Sequence, residues 1–545
     1  MRPRTVVVGA LLATAALATT GCQAVQQPSA AQSGTTPADV TDVSLSGKTV
    51  AEGGDLVMAL SAEPDRLDPT TSSSLYTRYV MQTMCEKLYD IDAHGELAPM
   101  LATDLPTVSD DGLTVTIPLK DGVTFADGTP FDADAVKTTL ERNVSKKDSA
   151  RTSELGPITE VTAVDDRTVQ ISYASPFAPL TAVLADRAGM IMSPKALADE
   201  GDDFGDHPVC VGPFKFVERV PQTSIKVERD PLYYAADKVH LDTITYRIIT
   251  DASIRAANLR SGDVQVADSL SPQDVGNLEA ADNVGLLKVG SLGYQGLTIN
   301  MGNTDGLGAP PGVIDTPLAK DARVRQALSL AVDRKQLVAS VFNDVYDVAC
   351  SPISPTSPFS TNASEACPEH DVAKAKELLK EAGVTTPYSV EMKVSNNPDT
   401  LRLAQAIQAS VKDAGFDITI TPVEYATLLD AQNAGDFSLL QLGWSGRIDP
   451  HGNMYNFLAT GAGNNVGGYS DETVDQKLTE AASETDTAAR AQLYGEVVTK
   501  VQQDNPIIYL YRQRSITGYT LDVAGVSTYS DGVVRLGQAA FVSRG

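Results

Sequence analysis

The chain has 545 residues, 42% of them apolar and 21% charged, with a formal net charge of −27. That length exceeds what one hydrophobic core organises, so two or three domains are expected. The composition is that of an ordinary globular protein, and the acidic excess without a long basic run excludes the cationic footprint that nucleic-acid binding needs.

Taken in order, the chain opens with Arg2 and Arg4, an apolar run over 6–17, and then Ala18-Thr-Thr-Gly-Cys22. This is a signal peptide, too short to persist as a spanning helix. The Gly21-Cys22 ending resembles a bacterial lipoprotein cleavage site, which makes Cys22 the expected lipidated residue and places the protein outside the cytoplasm on the cell membrane. Residues 23–48 are rich in Gln, Ser, Ala, Thr and Pro and are read as a disordered tether reaching roughly 25–30 Å. Beyond Cys22, four cysteines remain: Cys85, Cys210, Cys350 and Cys367. In an exported chain they are expected to pair. Three pairings exist, and the favoured one joins Cys350 to Cys367 and Cys85 to Cys210. No Cys pair has the two-residue spacing of a zinc site.

Residues 55–61 (Asp-Leu-Val-Met-Ala-Leu-Ser) read as a buried strand and 75–89 as a helix. Tyr76 and Tyr79, at the start of that helix, fit either a cleft wall or core packing. Asp-Gly pairs at 111, 121 and 127 punctuate short alternating strands, and Asp132 or Asp134 can cap a helix running to Arg142. The Arg323–Arg325 pair reads as a solvated helix face with salt bridges. Further on, 388–394, 416–423 and 436–442 read as strands separated by helices over 400–414 and 425–434. This βαβαβ unit implies a parallel sheet. Ligands of such sheets bind outside the carboxyl ends of the strands. The loop leaving the last strand holds the only tryptophan, Trp444, with Gly446, Arg447, Asp449 and His451, and is read as the binding loop up to Tyr455. Trp444 would wall or stack on a ligand, and backbone groups at Gly443 and Gly446 would supply hydrogen bonds.

Constellations for chemistry are sparse. Gly443-Trp-Ser-Gly-Arg447 lacks the last Gly of a nucleophile elbow, and neither a His-Glu-x-x-His nor a phosphate-binding loop occurs. The five histidines are scattered, so no metal and no cofactor are expected. A secreted hydrolase, the reading from another class, would need a nucleophile with a positioned base, and none is found.

Six motifs carry a resemblance. They are the 110–136 stretch, Gly212-Pro-Phe-Lys-Phe216, Arg229-Asp-Pro-Leu-Tyr-Tyr234 with Leu241–Tyr246, Leu259-Arg-Ser-Gly-Asp-Val264, the helix from Asp321 to Arg334, and 373–383 with 504–510. Over about 450 residues the chain resembles the family 5 extracellular solute-binding proteins, the peptide- and nickel-binding class that serves ATP-binding-cassette importers. The resemblance implies a two-lobed α/β fold of the periplasmic-binding type. Lobe I would span 49–293 with a subdomain inserted at about 70–205, lobe II 294–510, and 511–545 would return to lobe I, with crossings near 294–300 and 508–514. It also implies a monomeric carrier that captures a peptide or peptide-like solute and delivers it to membrane permease subunits. In the peptide-binding members an Asp three residues after the Trp holds the ligand's ammonium; here that position is Arg447. Three arrangements fit. Asp449 takes over the ammonium, or Arg447 offers its planar fork to an anionic or amine-blocked ligand, or Arg447 pairs with Asp449 and orders the loop. Because some members bind a nickel complex, His451 is the histidine to watch.

Overall fold

The computed structural model describes residues 39–543, so the signal peptide, Cys22 and the tether up to residue 38 lie outside the described residues. The tether was expected to run to residue 48, but it is docked from Asp39 onward. Val40 bridges Lys288, and the strand Asp42–Val43 pairs with Val526–Thr528. Val40 and Val43 are too few to signal a strand locally; distant edges supply their partners.

A seven-stranded sheet builds lobe I around the strand Asp55–Leu60. It lies between Thr243–Ile248 and Val266–Ala267, parallel to both. Leu56, Met58 and Leu60 are fully buried, as a central strand requires. The helix Leu75–Met84 covers this lobe, with the Ser74 hydroxyl accepting from Tyr76 N. Its expected continuation to Tyr89 is cut short because Cys85 is already extended and bonded to Cys210. A four-stranded antiparallel sheet forms the inserted subdomain. Asp111-Gly112 turns its first hairpin, the Asp-Gly pairs at 121 and 127 turn the chain after its second strand, and Gly112, Gly122 and Gly128 all take positive φ. Asp132 caps the helix Ala133–Ser145.

Lobe II carries a six-stranded sheet. Tyr388–Ser395 runs parallel to Phe416–Val423 on one side and to Leu439–Trp444 on the other, as the βαβαβ pattern predicts. On its far side Leu439–Trp444 pairs antiparallel with Tyr294–Ile299, which in turn pairs with Ile507–Arg512. The chain passes between the two sheets twice. Val284–Gly290 belongs to lobe I and Tyr294–Ile299 to lobe II; Ile507–Arg512 belongs to lobe II and Arg514–Thr520 to lobe I. The expected disulfides Cys85–Cys210 and Cys350–Cys367 are both present. Arg323 sits exposed against Asp321, but the solvated-face reading fails for Arg325. It is 4% exposed and donates to the carbonyls of Leu318, Ala319 and Asp504, tying its helix to neighbouring turns.

Candidate functional site

The carboxyl ends of the parallel strands of lobe II converge on a cavity of about 490 Å³ whose opposite wall is lobe I. Ser395–Asn397, Glu424–Tyr425 and Trp444–Ser445 come from the strand ends of lobe II; Ser61–Glu63, Tyr76 and Arg255 come from lobe I. The volume lies within the ordinary range of small-molecule sites. Each lobe offers a tyrosine across the gap. Tyr76 and Tyr425 meet edge to face with centroids 5.4 Å apart, and burial with the nearby Asp268 raises the Tyr76 phenol to about 12. Tyr425 was not singled out in the sequence, although its place just after the strand Phe416–Val423 is the signal that finds it.

Amides run along the hinge side. Gln441 donates to Gln295 and Gln295 to Gln513, each at 3.2 Å, linking the lobe II sheet to the crossing segment. Charge in the lining is mostly acidic. Glu63, Asp399 and Glu424 line the cavity with a single guanidinium, Arg255, and Glu63 pairs with Arg219 at 2.7 Å. Arg255 is already spoken for by the carbonyls of Ile249, Thr250, Asp268 and Ser269. Asp399 accepts from Ser271 across the lobes at 3.2 Å and pairs with Arg402.

The residues of the expected binding loop divide. Trp444 borders the cavity; its indole N–H donates to Asn453 at 3.0 Å, and the Arg447 guanidinium lies 4.1 Å from its ring centre. Gly446 takes φ +89°, and a Cβ there would come within 2.3 Å of Gly293 N, so it serves the close approach of loop and crossing segment. Arg447 and Asp449 do not pair with each other. Arg447 reaches across the lobes to Asp186 of the subdomain, Nε to Oδ2 at 2.5 Å. Asp449 receives both arms of Arg490 at 2.9 Å. Arg447, Asp449 and His451 border a separate void of about 20 Å³ together with Glu154 and Asp186, and not the main cavity. The loop is also shorter than expected. A helix, His451–Leu458, begins after Pro450, with Asp449 Oδ1 accepting from His451 N at 2.9 Å. A proline at the entrance and an acidic acceptor before the first turn account for this start.

Burial shapes the charges of this junction. Although burial opposes it, the Arg447 and Arg78 guanidinium groups hold the Asp186 carboxyl well below the usual carboxylate range. Burial pushes Arg447 down to about 9, still cationic at neutral pH, and pushes His451 down to about 4. Its ring packs against Phe177 of the subdomain and stacks on Tyr455. Among the described residues no group of three or more His, Cys, Asp or Glu is placed to hold a metal ion. Asp186 and Arg490 escaped the sequence reading because each meets its partner only through the fold, 41 residues away for Arg490.

Comparison with known proteins agrees with this architecture. The profile of the bacterial extracellular solute-binding proteins, family 5, matches residues 96–465. The glutathione-binding protein GsiB of Pectobacterium atrosepticum is 29% identical over 489 residues, spanning 88% of this chain and 92% of that protein. Among solved structures, the murein tripeptide binding protein MppA of Escherichia coli superposes with a TM-score of 0.82 at 22% identity, covering 91% of this chain and all of that one. The ABC transporter-associated periplasmic binding protein DppA from Helicobacter pylori, in complex with the peptide STSA, gives 0.81 at 23% identity, covering 90% and 99%. The matched profile covers most of the chain, and the chain therefore belongs to the bacterial extracellular solute-binding proteins of family 5.

Proposed function

We propose that the protein is the membrane-tethered receptor of an importer, taking a short peptide or peptide-like solute with a free ammonium group into the cavity and handing it to the permease unaltered. The observation that carries this reading is the charge of the cavity wall, where three carboxylates, Glu63 and Asp399 among them paired with Arg219 and Arg402 outside the lining, stand against one guanidinium that neighbouring carbonyls already occupy. Asp399, at the first turn of the helix Pro398–Lys412, is our candidate for the ammonium partner. Trp444, Tyr76 and Tyr425 would wall the ligand, and the amides of Gln441 and Gln295 would meet its backbone. A ligand touching both lobes favours their closed arrangement because it binds that arrangement better than the open one. The glutathione-binding and peptide-bound relatives fit this class. The anionic-ligand alternative rested on Arg447, and its commitment to Asp186 weighs against it. A nickel complex held by His451 would need the imidazole in the main cavity, whose lining does not include it. Anchoring through Cys22 is part of the proposal.

Calorimetry with tripeptides tests it. Blocking the amine by acetylation should weaken binding by about 1.5–3 kcal/mol, the worth of a hydrogen bond to a charged group. Equal affinity for free and acetylated peptides rules out the ammonium clamp. Recovery of the peptide intact and in stoichiometric amount supports the carrier; cleaved products would replace it with a hydrolase. Radiolabelled lipid on the wild-type protein but not on Cys22→Ala tests the anchor.

A further inference from the structure

Behind Trp444 lies a side chamber of about 70 Å³. Tyr425, Leu442, Gly443 and Trp444 border both it and the main cavity, so the two adjoin. The strand Leu439–Trp444 explains the arrangement. Alternation puts Leu440, Leu442 and Trp444 on one face, and that face fronts the chamber, with Phe457 and Val466 completing an apolar wall. Ser73 is the contribution of lobe I, so closure of the lobes shapes the chamber too.

One polar group in this wall is unused. Tyr294 is 3% exposed, and its hydroxyl has no hydrogen-bond partner among the described residues. Its ring is pinned by Tyr509 and Phe457, with centroids 4.7 and 6.1 Å away. A buried hydroxyl left unpaired carries a desolvation penalty that an incoming acceptor or donor would relieve. At about 30 Å³ per water-sized group, the chamber accepts about two or three non-hydrogen atoms.

We propose that this chamber is a specificity subsite for a small ligand side group with a hydrogen-bonding tip, of hydroxymethyl or thiol size, read by Tyr294. The inference deepens the peptide-carrier reading and rests on it. Aromatic side groups are excluded by volume. Methyl groups fit but leave the Tyr294 hydroxyl unpaired.

The test is calorimetry of the full mature chain with tripeptides that carry Ala, Ser, Cys or Phe at each position in turn. At one position Ser and Cys should bind about 3- to 10-fold more tightly than Ala, and Phe at least tenfold more weakly. Tyr294→Phe should abolish the Ser and Cys advantage over Ala. It should also raise the melting temperature of the ligand-free protein, since the unpaired hydroxyl is gone. A polar advantage that persists in Tyr294→Phe, or Phe accepted as well as Ala at every position, overturns the subsite. Wild-type protein that binds none of the tripeptides overturns the carrier reading, and this inference with it.

Discussion

At the scale of single residues, burial outweighs residue type. His451 lies in the loop that the sequence marks for binding, yet its ring is packed between Phe177 and Tyr455 and is 3% exposed. Burial lowers its pKa from 6.5 to about 4. A histidine depressed on folding binds more protons when unfolded, so its contribution is fully present above pH 6.5 and is lost as pH falls through 4. The shift corresponds to about 3 kcal/mol at most. Urea titrations of the wild type from pH 7 to 4 should show this decline, and His451→Gln should flatten it. The same slope in both proteins would show that another group is responsible. Asp90, Asp186 and Asp531, also held low, lose their contributions only below the usual carboxylate range, so the two windows separate.

Between elements, the decisive tie is the one from the Trp444 loop to the helix Thr487–Asp504. Asp449 and Arg490 are 9% and 5% exposed and joined by two hydrogen bonds of 2.9 Å, with Arg490 also donating to Ala481 O and Tyr494. Removing one member strands the other's charge in the interior, which costs about 3–5 kcal/mol. Asp449→Ala should therefore lower the urea midpoint by that equivalent, and the double variant Asp449→Leu/Arg490→Met should recover much of it. A ligand role for Asp449 predicts the opposite: full stability with selective loss of amine-bearing ligands.

For the molecule as a whole, closure has a component built into the protein. Arg447 to Asp186, Arg78 to Ser445 at 3.3 Å, and Asn456 to Ser153 and Glu154 all cross between the lobes. Arg447→Met keeps bulk beside Trp444 but drops the charge, while Asp186 retains Arg78. The ligand-free variant should be more open by small-angle scattering. Every ligand should bind about 5- to 30-fold more weakly, whatever its charge, because the closed population is smaller. A loss confined to anionic ligands would return Arg447 to the binding site.

The sequence by itself determined the elements and their order. Alternation, helical spacing and the Asp-Gly turns are local signals, and they located the strands at Asp55–Leu60 and Phe416–Val423, the helix Tyr425–Ala434 and the parallel sheet of lobe II. Motif order placed the chain in its family, and Trp444 does border the cavity. Only the tertiary structure decided which buried charges pair with which. Arg447 and Asp449, two residues apart, turn to Asp186 and Arg490, partners that no sequence spacing connects. A desolvated charge goes to the best-placed opposite charge in space, and which one that is follows from how the lobes close, not from proximity along the chain.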